Sequence, residues 1–273
     1  MGGSPVKPAP FEYLRAASVD EAVAALASCG ADGREGKILA GGQSLVPLLA
    51  LRMARPDLLV DINRVADLAE VSLVDGVLHV GALTRHSALA GQTGHPLLAE
   101  AARWIGHPAI RSRGTAAGSL AHADPSAELP VVAVACDAVV SVVGPTGRRS
   151  VPAADLFTGP LMSTLAEDEL ITSVSFPVPA RWGFAEFARR HGDFALVTAV
   201  VADGAIALGG VSAVPMRSAA GEDVLAGGGS VEEVVAAVCG ELEPTGDLHA
   251  SAPYRRALAA ELVGRALRQA GVS

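Results

Sequence analysis

Two short segments built from glycine, small and hydroxyl-bearing residues lie in distant parts of this chain of 273 residues. The first is Ala40-Gly41-Gly42-Gln43-Ser44-Leu45 and the second is Thr115-Ala116-Ala117-Gly118-Ser119-Leu120. Glycine permits a positive φ and lets the backbone approach a ligand closely, and successive N–H groups can form a concavity that binds an anion. Neither segment has the spacing of the Rossmann or P-loop fingerprints. The pair therefore predicts two loops of one domain that hold a diphosphate, as a dinucleotide cofactor requires.

Composition excludes several other classes of protein. The net charge is −8, so no basic surface suited to nucleic acid is expected. No uncharged apolar run has the length of a membrane span, since the stretch 130–143 is too short and contains Asp137. The cysteines Cys29, Cys136 and Cys239 are far apart and form no CxxC pair. We therefore expect no zinc or iron–sulfur site within the chain, and free cysteines favour a reducing cytoplasm.

Half of the residues are apolar but only 4% are aromatic, which predicts a core of Ala, Val and Leu. Ser18-Val19-Asp20-Glu21 is a capping box that predicts a helix ending near Gly30. Further along, Asp75-Gly76 predicts a tight hairpin. The other strands predicted before residue 178 are residues 37–40, 58–62, 138–143, 148–151 and 168–177. The other helices predicted there are residues 45–51, 84–89, 96–105 and 125–136.

The two prolines of Pro177-Val178-Pro179 predict a domain boundary. Beyond it, three strands are predicted at residues 184–190, 196–201 and 205–211, followed by helices. The two predicted helices are residues 231–239 and 254–270. Strands followed by helices favour an α+β unit with its helices on one face of the sheet.

At this point the residues are recognisable as a family pattern. The stretch 37–45, with Leu51-Arg52 and residues 59–62, resembles the first FAD motif of the FAD-binding subunits of molybdenum hydroxylases. Members include the medium subunit of carbon monoxide dehydrogenase and the flavin domain of xanthine dehydrogenase. The stretch 110–125 is similar to the second FAD motif of that family. Three later stretches also fit the family, namely residues 187–195, 206–211 and 254–256.

The resemblance implies an α+β fold in two parts. Residues 1–176 would form a two-lobed FAD-binding domain of the vanillyl-alcohol-oxidase-like (PCMH) type. Its N-terminal lobe would span about residues 1–57 and its central lobe about 58–176, with FAD between them. Residues 177–273 would form a small α+β C-terminal domain with a three-stranded antiparallel sheet and helices.

The resemblance also implies which residues bind FAD. The diphosphate would lie between residues 40–44 and 115–119, with Leu45 against the flavin portion. Asp124 and Glu128 match polar positions near the flavin or ribose, and Ile105 matches a position near the adenine. No acid or base is expected, because the flavin carries the redox chemistry. The complete set of expected FAD-binding residues is Leu39, Ala40, Gly41, Gly42, Gln43, Ser44, Leu45, Ile105, Thr115, Ala116, Ala117, Gly118, Ser119, Asp124, Glu128 and Leu161.

Other polar residues of these motifs have alternative interpretations. His122 contacts the flavin edge or ribose, or is a hydrogen-bonded loop histidine. Arg111 and Arg113 either favour the diphosphate electrostatically or form ion pairs at the surface or between lobes. Arg189, Arg190 and Asp193 shape the flavin pocket, form a docking face or lie on a solvated strand edge.

The chain departs from the family pattern at two places. Position 117 is Ala where the family usually has Gly, and Ala116 replaces a larger aliphatic residue. If position 117 required a positive φ, alanine would cost about 1 kcal/mol and would crowd a phosphate. The segment 200–206 is shorter than the usual hairpin of the family, which predicts a C-terminal sheet trimmed at one edge.

The function implied by the resemblance is that of an electron-transfer subunit in a multi-subunit molybdenum hydroxylase of the cytoplasm. A molybdopterin-binding large subunit would oxidise the substrate, and an iron–sulfur small subunit would deliver the electrons to FAD. The external acceptor would be NAD, a quinone or oxygen. Two alternatives remain: a stand-alone flavin-dependent oxidoreductase that acts directly on a small molecule, and a binding or scaffold protein that no longer holds flavin.

Overall fold

The computed structural model describes residues 7–273. Its N-terminal part is a three-stranded parallel sheet in the order β1-β3-β2, with a helix packed on it. The elements are β1 (Glu12–Arg15), α1 (Val19–Ala31), β2 (Gly36–Leu39), α2 (Leu45–Ala50) and β3 (Leu58–Asp61). The Ser18 hydroxyl accepts a hydrogen bond from the Glu21 amide and begins α1, as the capping box predicts. The first glycine segment therefore joins β2 to α2.

The central part is built on a five-stranded antiparallel sheet in the order β4-β5-β10-β6-β7. Asp75 and Gly76 both have positive φ and form the tight turn between β4 and β5. The strands of this sheet are β4 (Val71–Val74), β5 (Val77–Gly81), β6 (Val139–Gly144), β7 (Gly147–Pro152) and β10 (Leu170–Pro177). Two short strands, β8 (Phe157–Gly159) and β9 (Met162–Ser163), form a separate two-stranded antiparallel sheet. The helices are α3 (His86–Ala90), α4 (Pro96–Trp104), α5 (Pro108–Arg111), α6 (Ala116–His122) and α7 (Glu128–Ala135).

The C-terminal part contains the three expected strands and a short fourth one. The sheet order is β11-β12-β13-β14, and all neighbouring strands are antiparallel. The elements are β11 (Trp182–Ala188), β12 (Ala195–Ala202), β13 (Ala205–Gly209), β14 (Met216–Arg217), α8 (Ala219–Ala226), α9 (Val231–Glu241) and α10 (Ala252–Gln269). The extra strand β14 is held in place because Arg217 pairs with Asp137 at 2.6 Å and with Glu222 at 2.8 Å. Neither contact has a local sequence signal.

Strand β12 is buried along its whole length because both faces of its sheet are covered. Val197, Ala199 and Val201 belong to a hydrophobic cluster with α9 and α10. Val200 and Ala202 point to the other face and belong to the cluster that contains α7 and the central sheet. The α+β unit thus has its own helices on one face, as predicted, and helix α7 on the other. Within residues 7–273, no helix is long and apolar enough to cross a membrane.

Candidate functional site

A cleft of about 1480 Å³ brings together the two glycine-bearing segments. Pockets for drug-sized ligands have roughly 300–1,000 Å³, so this cleft has room for a dinucleotide. Of the predicted set, Leu39 and Ala116 do not line it. The predicted residues that do line it are Ala40, Gly41, Gly42, Gln43, Ser44, Leu45, Ile105, Thr115, Ala117, Gly118, Ser119, Asp124, Glu128 and Leu161.

The first segment forms a turn with amides free for a ligand. Gly42 has a φ of +74°, a conformation that favours glycine. The N–H groups of Gly42, Gln43 and Ser44 donate to no backbone carbonyl of residues 7–273, whereas the Gly42 carbonyl accepts from Val46 at 2.9 Å. Three successive amides without backbone partners are a suitable surface for an anion.

Gly41 is required by the residues just before the second segment rather than by a ligand alone. A Cβ at this position would overlap the carbonyl oxygen of Arg113 and would lie 2.9 Å from the Cα of Gly114. The two loops therefore touch directly at Gly41. The sequence pattern identified this glycine, but it gave no sign of the contact that requires it.

The second segment is the start of a helix, not a turn. Thr115 precedes α6, and its hydroxyl accepts a hydrogen bond from the Gly118 amide at 3.3 Å. The amide of Ala116 donates to the Thr84 carbonyl at 2.9 Å, and that of Ala117 donates to the Ala82 carbonyl at 3.3 Å. These two amides are thus used inside the protein, while Gly118 and the hydroxyl-bearing Ser119 are partly exposed to the cleft.

Ala117 carries no backbone strain. It lies within α6 and is not among the residues with positive φ. Its side chain is 5% exposed and packs in the large hydrophobic cluster. The cost considered for alanine at this position does not arise, because a helical φ suits alanine better than glycine.

Leu39 and Ala116 support the cleft from behind. The carbonyl of Leu39 accepts from the Ile62 amide at 3.2 Å, and a Cβ at Gly42 would lie 3.2 Å from the Leu39 Cδ1. Ala116 is completely buried. Direct contact between Ala116 and a ligand is therefore not supported by its position.

Two non-glycine residues beside the cleft have left-handed backbone conformations. Ala123 has a φ of 54° and Leu161 a φ of 58°, and the Leu161 amide donates to the Ala123 carbonyl at 3.0 Å. Such residues cost on the order of 1 kcal/mol each, and strain of this kind is concentrated at functional sites. The side chain of Leu161 is 53% exposed, so the strained backbone presents an apolar side chain at the cleft.

Two buried carboxyl groups lie at the start of α7 and on β11. Glu128 is 6% exposed, and burial, with Asp124 adding to it, raises its pKa to about 7. Glu186 is 8% exposed, and burial, with the charge of Glu128 adding to it, raises its pKa to about 9. The Thr198 hydroxyl donates to Glu186 at 3.5 Å. Burial therefore favours the protonated form of the Glu186 carboxyl.

Glu128 lines the cleft and was predicted, whereas Glu186 was missed. The signal for Glu186 is the strand pattern, because Phe184 and Glu186 lie two residues apart and therefore share one face. A carboxyl on the same face as a core phenylalanine is a candidate for burial.

The remaining predicted polar residues have separate roles. Arg111 donates to the carbonyls of Ile105 at 3.1 Å and Gly106 at 2.7 Å and so fixes the turn after α4. These partners are neither the diphosphate nor the acidic groups of an ion pair, which were the two expected roles. His122 is half-buried beside the cleft, and burial lowers its pKa. Residues 189–193 contribute Arg189, Arg190, Gly192 and Asp193 to the lining. Phe194 follows them with a side chain that is 71% exposed, and no sequence argument had singled it out as a contact.

Comparison with known proteins gives matches along nearly the whole chain. Residues 9–179 match the model of the FAD-binding domain in molybdopterin dehydrogenase, and residues 182–270 match that of the CO dehydrogenase flavoprotein C-terminal domain. The chain is 41% identical to the 6-hydroxypseudooxynicotine dehydrogenase complex subunit alpha of Paenarthrobacter nicotinovorans, over 97% of this chain and 96% of that protein. It is 38% identical to the nicotine 6-hydroxylase medium subunit of the same organism, over 96% and 97% of the two chains.

A solved structure shows the same fold. The chain superposes on a subunit of carbon monoxide dehydrogenase from Hydrogenophaga pseudoflava, a form that lacks the Mo-pyranopterin moiety of the molybdenum cofactor, with a TM-score of 0.91. The sequence identity is 36%, and the match covers 97% of this chain and 98% of the other.

Proposed function

Because the chain belongs to the FAD-binding subunits of the molybdopterin dehydrogenase family, we propose that it is the electron-transfer subunit of a multi-subunit molybdenum hydroxylase. The α+β fold, the oxidoreductase class and FAD as the cofactor, all expected from the resemblance, are confirmed by the family matches. The electron-transfer role, the partner subunits and the residues that hold FAD belong to the proposal. So do the domain limits of residues 1–176 and 177–273.

The observation that carries the proposal is the cleft at which both motifs meet, with unbonded amides on one side. The amides of Gly42, Gln43 and Ser44 would hold the diphosphate of FAD, and Ser119 would add a hydroxyl from the facing segment. Ile105 would lie against the adenine, while Leu45 and Leu161 would cover the flavin portion. The bound flavin supplies the capacity to accept and release electrons.

Partner subunits would supply the molybdopterin and the iron–sulfur clusters of the proposed reaction. The similar proteins are called a complex subunit alpha and a medium subunit, and their names refer to different substrates. We therefore assign substrate oxidation to a molybdopterin-binding large subunit and electron delivery to an iron–sulfur small subunit. An external acceptor, either NAD, a quinone or oxygen, would take the electrons from this subunit. The free cysteines Cys29, Cys136 and Cys239 favour a cytoplasmic location.

The structure removes one of the two observations that favour a stand-alone oxidoreductase. The two departures from the family pattern that leave room for it are Ala117 and the short segment 200–206, and Ala117 is an ordinary helical residue. A scaffold without flavin would follow from a phosphate site lost at residues 116 and 117, and neither alanine has a positive φ. The electron-transfer subunit is therefore the function that the site supports best.

The first test is the visible spectrum of the purified chain before and after addition of FAD, with the released cofactor identified by chromatography. We expect one FAD per chain. A folded chain that takes up no FAD would refute the proposal. Co-purification from the native host then tests the partners: we expect a molybdopterin subunit and an iron–sulfur subunit, whereas substrate turnover by the isolated chain would favour the stand-alone enzyme.

A further inference from the structure

A chain of polar side chains behind the cleft joins the two glycine-bearing segments. Asn63 follows β3, and its Nδ2 donates to the carbonyl of Ala40 at 2.8 Å. The Asn63 Oδ1 accepts from Nη2 of Arg85 at 2.7 Å. Nη1 of Arg85 donates to the carbonyl of Arg113. We call Asn63 and Arg85 the interloop bridge, because one end holds the first segment and the other end holds the residues just before the second.

The bridge closes a ring with the direct contact between the loops. The carbonyl of Arg113 that accepts from Arg85 is also the atom that a Cβ at Gly41 would overlap. Ala40 and Gly41 are adjacent, so the ring runs from Ala40 through Asn63 and Arg85 to Arg113 and back to Gly41. The two loops are therefore connected both directly and through the bridge.

The orientation of Asn63 is fixed by its surroundings. Asp61 is buried at the end of β3, and its Oδ1 accepts from both the amide of Asn63 at 2.8 Å and its Nδ2 at 2.7 Å. Tyr13 on β1 donates to the other oxygen of Asp61. The Nδ2 group faces three acceptors, the carbonyls of Leu39 and Ala40 and the carboxylate of Asp61, and the Oδ1 faces the guanidinium of Arg85. A flipped amide would oppose each of these side-chain contacts.

Although the charge of Asp61 also attracts it, Arg85 donates its side-chain hydrogen bonds within residues 7–273 to neutral oxygen atoms. Its partners are an amide oxygen and a backbone carbonyl, and burial together with the nearby Arg113 lowers the pKa of its guanidinium. The planar fork of arginine can reach two acceptors at fixed spacing, which a lysine cannot do. The backbone next to Arg85 is also joined to the residues before the second segment, because the His86 amide donates to the Gly114 carbonyl at 3.0 Å.

We propose that Asn63 and Arg85 are positioning residues that set the separation of the two FAD-binding segments, although neither residue lines the cleft. The affinity for the diphosphate of FAD then depends on side chains that do not touch it. This inference rests on the proposed binding of FAD between the two segments. It adds two residues that the motifs themselves do not contain.

The test measures the dissociation constant for FAD by flavin fluorescence in the full chain and in five variants. Arg85→Met and Asn63→Leu each remove one half of the bridge, and we expect the dissociation constant to rise at least about tenfold, the size of one or two lost hydrogen bonds. The double variant should resemble the single variants, because both substitutions break the same connection. If the losses of FAD affinity in the two single variants add up in the double variant, the proposal that both residues form one bridge is refuted.

Arg85→Lys separates positioning from simple charge attraction. If Arg85 acted on the diphosphate only through its charge, lysine would restore the affinity. We expect the affinity of Arg85→Lys to stay within about threefold of that of Arg85→Met, since lysine does not reproduce the two-pronged contact. Recovery of wild-type affinity by lysine would refute the proposal.

Arg103→Met is the matched control. Arg103 bonds to Glu100 and to the Ala90 carbonyl and does not line the cleft, so its loss should leave the FAD affinity unchanged. Thermal unfolding of each FAD-free variant confirms that it is folded. If Arg85→Met does not fold, Arg85→Lys takes its place as the variant that removes the two-pronged contact. If the wild-type chain binds no FAD, the proposed function fails. If it binds FAD and the bridge variants bind equally well, the bridge alone fails.

Discussion

The buried carboxyl of Glu186 makes a specific prediction about stability at alkaline pH. Its pKa in the folded chain is raised from 4.5 to about 9 by burial and by the charge of Glu128. Between these values the folded chain retains a proton that the unfolded chain has released. Stability therefore falls as pH rises through this window, by up to about 1.4 kcal/mol per pH unit for one proton. Below pH 4.5 both states hold the proton, and above pH 9 both have lost it, so the slope disappears.

Glu186→Gln removes the titrating group and keeps the size and hydrogen-bonding capacity of the side chain. From pH 7 to pH 8.5 the wild type should lose about 2 kcal/mol relative to this variant. That difference corresponds to about 4–8 °C in the midpoint of thermal unfolding for a chain of this size. Glu128 is the acidic group that acts on Glu186, Asp124 acts in turn on Glu128, and the Thr198 hydroxyl contacts Glu186.

Thermal and urea unfolding of the FAD-free chain at several pH values measures this effect directly. Glu243→Gln is the matched control, since it makes the same chemical change at an exposed position. Its pH profile should run parallel to that of the wild type. The reasoning would be refuted if Glu186→Gln also ran parallel to the wild type between pH 7 and pH 8.5, because Glu186 would then not hold a proton in the folded chain.

Three further substitutions test the cleft. Gly41→Val should abolish FAD binding in titrations monitored by flavin fluorescence, because its side chain would overlap the backbone of Arg113; retained binding would contradict the direct contact between the loops. Ala117→Gly should leave FAD affinity unchanged and destabilise the chain by about 1 kcal/mol in urea unfolding, as glycine does within a helix; a gain in affinity would show that the methyl group obstructs the cofactor. Leu161→Gly should stabilise the FAD-free chain by up to about 1 kcal/mol by relieving the left-handed backbone and should weaken FAD binding; unchanged affinity would show that the side chain does not contact FAD.

The sequence could identify the cleft because its two segments have strong local signals. Glycines, hydroxyl residues and the order of the motifs are visible without a structure, and the structure brings both segments to one cavity. The local geometry could not be predicted in the same way. Thr115 begins a helix, and the partners of the Ala116 and Ala117 amides are carbonyls more than thirty residues earlier in the chain. A contact between such distant backbone groups leaves no pattern in either stretch of sequence.

The same reason explains why Asn63, Arg85 and Glu186 were missed. An asparagine after a strand and an arginine before a short helix are ordinary residues until the fold places them between two loops. Glu186 becomes unusual when the fold buries its carboxyl and helix α7 brings Glu128 near it. Periodicity predicts which face a side chain occupies, but the identity of the element that covers that face depends on the tertiary fold.

The short hairpin between β12 and β13 shows how a departure in sequence can leave the sheet intact. Asp203 and Gly204 both have positive φ, so two residues suffice for the turn. The Asp203 carboxylate accepts from the amides of Ala180 at 3.0 Å and Arg181 at 2.8 Å, which lie where the chain enters β11. The shortened turn therefore anchors the connection between the two parts of the protein. Because none of these residues lines the cleft, the shortening removes no contact from the proposed flavin site, and it gives no support to a function different from that of the family.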